Sequence, residues 1–147
     1  MSNASGQCMC GAVRITVKDR PHELGVCHCG MCRRWSGSAF VGFGVSENAL
    51  TIEGAGNVAA YRSSDWAERC FCRNCGSTLW YHLTIPGETL THFIAAGLLD
   101  DLSGMKIEHE LFYDKKPDAI TFACESRKTT EADFLASVGI TNEGDDQ

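Results

Sequence analysis

Val26-Cys27-His28-Cys29-Gly30-Met31-Cys32-Arg33-Arg34 sets three cysteines at C-x-C-x-x-C spacing ahead of two arginines. Such spacing belongs to metal ligands rather than to packing. Two sulfur pairs flank it at a distance, Cys8-Met9-Cys10-Gly11 upstream and Cys72-Arg73-Asn74-Cys75-Gly76 downstream. Together they read as a set of four sulfurs and a set of three. The difference between four and three carries the functional argument.

Around these clusters lies a chain of 147 residues, enough for one domain with a modest core, and no linker-like stretch divides it. Its nine cysteines are an odd number, so complete internal disulfide pairing is impossible. The first seven residues have neither a basic start nor an apolar run, so no signal peptide is expected. No apolar run is long enough to span a membrane. A cytoplasmic, reducing location follows as the expectation, and there clustered cysteines mean metal. Thirteen Lys and Arg stand against 19 Asp and Glu, a formal charge of −6. Seven metal-bound thiolates and two Zn²⁺ would deepen that to about −9. A nucleic-acid partner is therefore not expected, because it would need a basic face. No sequence feature specifies an oligomer.

Most of the chain reads as short strands. Residues 1–5 are polar and expected to be loose, and 6–11 form a tight loop bearing the first sulfur pair. Residues 12–18 alternate, with Val13, Ile15 and Val17 on one face. Further strands are expected at 38–45, 50–53, 58–61, 78–83, 89–95, 107–113 and 119–124, and residues 68–71 lead into the downstream sulfur pair. Turns are expected at 63–65, at Pro86-Gly87 and around Pro117. Only 130–139 reads as helix: Thr130 caps it, acids fill its first turn and Gly139 ends it. An acidic tail follows at 141–147. The pattern predicts an all-β domain of packed antiparallel sheets.

Closed four-ligand zinc sites are structural. Cys72 and Cys75, followed by Gly76, make a standard half-site, and Cys8 and Cys10, followed by Gly11, can complete it. Cys27, Cys29 and Cys32 are then a set of three, which leaves one coordination position open to water or substrate. A soft three-thiolate site is tuned to a fourth sulfur, so a small thiol is the expected substrate. In a second arrangement Cys70 completes a three-sulfur site downstream, with Cys8 and Cys10 as bystanders. Otherwise Cys70 is a packed strand residue, and Cys124 reads as an inert core thiol. His28, between two ligands, is a structural residue, a fourth ligand or a base. His22, His82, His92 and His109 have no spacing that builds a site. Arg33 and Arg34 either hold a substrate carboxylate or neutralise the thiolates.

Gly6-x-Cys8-x-Cys10-Gly11-Ala12-Val13-Arg14, Cys27-His28-Cys29-x-x-Cys32-Arg33-Arg34-Trp35-Ser36-Gly37 and Arg69-x-Phe71-Cys72-x-x-Cys75-Gly76-Ser77 follow one another in order. In these motifs, over residues 6–77, the chain resembles the glutathione-dependent formaldehyde-activating enzyme family, shared with centromere protein V-like domains. The resemblance implies a mainly antiparallel fold of the β-tent type over residues 6–125, with the short helix and tail at 126–147. It implies structural zinc on Cys8, Cys10, Cys72 and Cys75 and catalytic zinc on Cys27, Cys29 and Cys32, two ions per chain. The family's activity adds the glutathione thiol to formaldehyde and is classed as a carbon–sulfur lyase. Two departures from the family pattern are Cys70 and the absence of a tryptophan after the turn at Pro117-Asp118-Ala119. The expected function is thus a zinc-dependent carbon–sulfur lyase acting on a small thiol and an aldehyde, with Arg33 and Arg34 as candidate substrate-binding residues. Two other classes are a non-catalytic zinc module that binds a macromolecule and a redox switch built on free cysteines.

Overall fold

The computed structural model describes residues 3–85 and 90–139. Its strands, in chain order, are β1 (Ala4–Gln7), β2 (Arg14–Val17), β3 (Glu23–Cys27), β4 (Phe40–Ser46), β5 (Leu50–Glu53) and β6 (Val58–Ser64). They continue with β7 (Ala67–Cys72), β8 (Thr78–Leu83), β9 (Thr91–Ala95), β10 (Lys106–Leu111) and β11 (Arg127–Thr129). Two α-helices are present among the described residues, α1 (Gly30–Ser36) and α2 (Glu131–Val138). The protein is mainly β, as its alternating segments imply. The turn at Pro86-Gly87, the start of the strand expected from residue 89 and the acidic tail at 141–147 lie outside the described residues.

The chain builds two compact units, each from two separate segments: Met1–His22 with Gly42–Gly104, and Glu23–Val41 with Met105–Gln147. In the first, β1, β2 and β5 form an antiparallel sheet with β2 in the middle. Val13, Ile15 and Val17 are buried there, as their alternation predicts. The expected looseness of residues 1–5 does not extend to Ala4 and Ser5, which pair with Val17 and Thr16. The reason is a second support on the other side of β1. Gly6 bridges to Leu99, and the Asp100 N–H donates to the Ser5 carbonyl at 2.9 Å. A Cβ on Gly6 would lie 2.1 Å from the Leu98 carbonyl oxygen, so only glycine admits this approach. An antiparallel ladder in the order β9-β8-β7-β6 completes the unit, with residues 42–46 of β4 paired to β9. Leu79, Trp80 and Tyr81 of β8 and His92 and Ile94 of β9 are buried.

In the second unit β10 lies between β3 and β11, and both pairings are parallel. The mainly antiparallel fold thus includes two parallel pairings, because alternation fixes which face is buried but not the direction of the neighbouring strand. The strand expected at 119–124 is absent. The Lys116 ammonium donates to the Pro117 and Ile120 carbonyls (3.3 and 2.7 Å), which folds that segment back on itself. The last strand is instead β11, at residues 127–129. Helix α2 forms as its caps predict: the Thr130 hydroxyl accepts from the Asp133 N–H at 3.2 Å, and Gly139 ends it in the left-handed conformation. Leu135 is buried, and the Phe134 ring meets Phe112 at 5.4 Å between centroids.

Candidate metal centres

Cys8, Cys10, Cys72 and Cys75 converge within the first unit, their four sulfurs all within 4.8 Å of one another. Cys8 follows β1, and the loop closes through Cys8 N–H to Val13 carbonyl (3.0 Å) and Gly11 N–H to Cys8 carbonyl (3.1 Å). Cys72 ends β7, and the Gly76 N–H returns to its carbonyl at 2.8 Å, with Gly76 at φ 80°. That positive φ is the reason glycine follows the pair. The donors around the site face sulfur. The Val13 N–H reaches Cys8 Sγ at 3.3 Å, the Cys75 N–H reaches Cys72 Sγ at 3.5 Å and the Asn74 amide reaches Cys10 Sγ at 3.1 Å. Ser77 ties the two halves together: its Oγ accepts from the Met9 N–H (3.0 Å) and lies 3.1 Å from Cys75 Sγ. The Ser77 hydroxyl and N–H hold the Cys75 thiol down to about 5. At neutral pH it is a thiolate, the form that binds metal.

Cys27, Cys29 and Cys32 converge in the second unit, again within 4.8 Å. Cys27 ends β3, and Cys29 is the N-cap of α1, its Sγ accepting from the Cys32 N–H at 3.3 Å. The C-x-x-C spacing thus spans an N-cap and the third helical position, which brings both sulfurs to one side of the helix start. All three cysteines are buried. The Cys29 and Cys32 sulfurs, followed by burial, push the Cys27 thiol well above its usual value. Three crowded thiols in a dry site cannot ionise together unless a cation offsets their charge. Soft donors with this need fit a thiophilic divalent ion. Arg33 and Arg34 lie in the last turn of α1 with exposed side chains.

His28 is not among the converging ligands. It is 2% exposed, and Nε2 donates to Glu110 Oε1 at 2.7 Å. Glu110 in β10 is 3% exposed and accepts from the Ser126 hydroxyl at 2.6 Å through Oε2, with Lys128 Nζ 3.9 Å away. Burial pushes its carboxyl up, but the hydrogen bonds from Ser126 and His28 and the charges of His28 and Lys128 outweigh this and leave it below the usual value. Sequence reasoning missed Glu110, because nothing in the acids of Lys106-Ile107-Glu108-His109-Glu110-Leu111 points to a buried partner.

Cys70 is a buried residue of β7 outside both sulfur sets. Burial and then Glu68 raise its thiol to about 11, so it is a neutral packed residue. Cys124 is exposed, which corrects its expected place in the core: the strand that would have buried it is absent. His82 and His92, which have no telling spacing in sequence, face each other across β8 and β9 with ring centroids 5.5 Å apart. His82 Nε2 donates to Glu68 at 3.2 Å.

A family model described as glutathione-dependent formaldehyde-activating enzyme matches residues 3–115. An uncharacterised lyase of Schizosaccharomyces pombe is 33% identical over 138 residues, which are 94% of this chain and 98% of that protein. A Halomonas elongata protein named as a candidate glutathione-dependent formaldehyde-activating enzyme is 31% identical over 131 residues, 84% of this chain and 82% of that one. A crystal structure of a Rhodobacter sphaeroides protein is similar with a TM-score of 0.52 at 26% identity, over 65% of this chain and 87% of that one. Among the described residues no helix is long and apolar enough to cross a membrane.

Proposed function

The chain belongs to the glutathione-dependent formaldehyde-activating enzyme family, and from that premise we propose that it joins or cleaves a carbon–sulfur bond between a small thiol and an aldehyde. Cys27, Cys29 and Cys32 would hold the catalytic zinc, and Cys8, Cys10, Cys72 and Cys75 a structural one. The observation that carries this reading is the unequal count of converging sulfurs, three in one set and four in the other. A zinc ion with three protein ligands supplies an open position at which a thiol gives up its proton near neutral pH.

The reaction is an addition. The thiol sulfur forms a bond to the carbonyl carbon while the carbonyl π pair moves to oxygen. The proton released by the thiol ends on that oxygen through water, giving an S-hydroxyalkyl thioether. Nothing is oxidised or reduced, and the same path reversed cleaves the adduct. The chain's own contribution is to bind and orient. The exposed guanidinium groups of Arg33 and Arg34, one and two residues beyond Cys32, suit a carboxylate of a glutathione-like thiol. Burial of the three sulfurs keeps bulk water from diluting their charge. A cytoplasmic setting, where thiols stay reduced, suits both sites.

Cys32→Ser tests the reading. The variant should lose one of two zinc equivalents and the acceleration of thiol–aldehyde exchange followed by NMR. Retention of both equivalents together with full acceleration would overturn it.

A further inference from the structure

We infer that Glu110 and His28 form a positioning pair that holds the Cys27–Cys29 backbone in the geometry the three-sulfur site requires. The inference rests on the reading that this trio carries the reactive metal, and it adds to that reading the residues that shape the site. Residue 28 is gripped twice. Its N–H donates to the Leu111 carbonyl at 3.0 Å, one residue past the point where β3 and β10 stop pairing at Cys27 and Leu111. Its imidazole donates from Nε2 to Glu110 Oε1 at 2.7 Å. Both anchors come from successive residues of β10, so the peptide between the first two sulfur ligands is fixed against one rigid strand.

The direction of the side chains makes this a support from behind. In extended backbone successive side chains point to opposite faces. Cys27 and Cys29 send their sulfurs to the trio, and His28 between them goes to Glu110. The ring's orientation is fixed by the surroundings. His28 Nδ1 is buried and has no hydrogen-bond partner among the described residues, and Nε2, which faces the carboxylate, is the nitrogen that donates. Glu110 is itself aimed by the Ser126 hydroxyl at 2.6 Å on its other oxygen. The chain Ser126–Glu110–His28 therefore leaves the imidazole little freedom to turn. Leu111 is followed by Phe112, a non-glycine residue at φ 55°, an uncommon conformation of the kind found beside sites that need a fixed backbone.

Stability alone does not account for the pair. A carboxylate and an imidazole both removed from water pay desolvation that an apolar pair of similar volume would avoid. The gain from retaining them is directional: hydrogen bonds fix an orientation that apolar contacts leave loose. Partners one step beyond metal ligands act in this way, and their loss weakens metal binding about 10- to 100-fold.

The test uses the full chain loaded with cobalt(II) or zinc, in the wild type, Glu110→Ala, Glu110→Gln and Ser126→Ala. A Cys32→Ser chain identifies which metal equivalent belongs to the trio, and the four-sulfur equivalent serves as the internal reference. Glu110→Ala should weaken the trio's zinc about 10- to 100-fold in chelator competition and shift its cobalt bands, with the reference unchanged. Glu110→Gln, which keeps an acceptor for His28, should restore most of the affinity and the wild-type bands. Should Glu110→Ala fail to fold, Ser126→Ala should still shift the same equivalent in the same direction by a smaller factor. Wild-type affinity and bands in Glu110→Ala and Ser126→Ala, with only a lower melting temperature, would overturn the inference and leave the catalytic reading standing. A wild-type chain that binds one equivalent would overturn both.

Discussion

At the scale of single residues, the cysteines of this chain are separated by their surroundings rather than by their chemistry. Ser77 holds Cys75 down to about 5, while Cys29, Cys32 and burial hold Cys27 well above its usual value. Protons and metal compete for the same sulfur lone pairs. A thiol whose folded value is depressed resists protonation until the pH falls through that value. A raised one takes its proton back at higher pH. Stepwise acidification of the zinc-loaded protein should therefore release metal from Cys27, Cys29 and Cys32 first, because three thiolates, one of them held well above its usual value, hold an ion against protons less strongly than four. The released zinc, followed with a chromophoric chelator in wild type and Cys32→Ser, checks the order. Release from the four-sulfur site first would contradict it.

At the scale of elements, each knuckle depends on a backbone that its sequence only partly advertises. Gly76 announces its positive φ by following C-x-x-C, and a Cβ there meets nothing within 4 Å. Gly76→Ala should thus cost only the left-handed backbone term, about 1–2 kcal/mol. Gly6 carries no such signal, yet a Cβ there would lie 2.1 Å from the Leu98 carbonyl oxygen. Gly6→Ala must move backbone, so denaturant unfolding should show a distinctly larger loss than for Gly76→Ala. Equal losses would mean that β1 is less tightly held than its hydrogen bonds indicate. Helix α1 illustrates why part of the fold was illegible. It is seven residues long, capped by a cysteine, begun by a glycine and has no acid in its first turn, so none of the usual start signals is present. The strand read at 119–124 failed for the opposite reason: its apolar residues looked right, but Lys116 takes the Ile120 carbonyl, which a neighbouring strand would need.

At the scale of the whole molecule, the seven metal-ligand candidates were legible because sulfur clusters at these spacings have few other uses in a small chain. Cys70 shares the C-x-C-x-x-C spacing with the trio, and only the structure separates it from the ligands, by placing it in the packed face of β7. Glu110 was illegible because its partner lies 82 residues earlier and nothing in an acid on a short strand points to a buried partner. The proposed function rests on the asymmetry between a set of four sulfurs and a set of three, each within one compact unit. The most direct test is the absorption spectrum of the cobalt-substituted protein, with metal content measured on the same sample, before and after addition of glutathione. Two equivalents per chain, with the bands of one changing on thiol addition and those of the other unmoved, is the predicted result. A single equivalent, or two whose bands ignore the thiol, would contradict the open three-sulfur site.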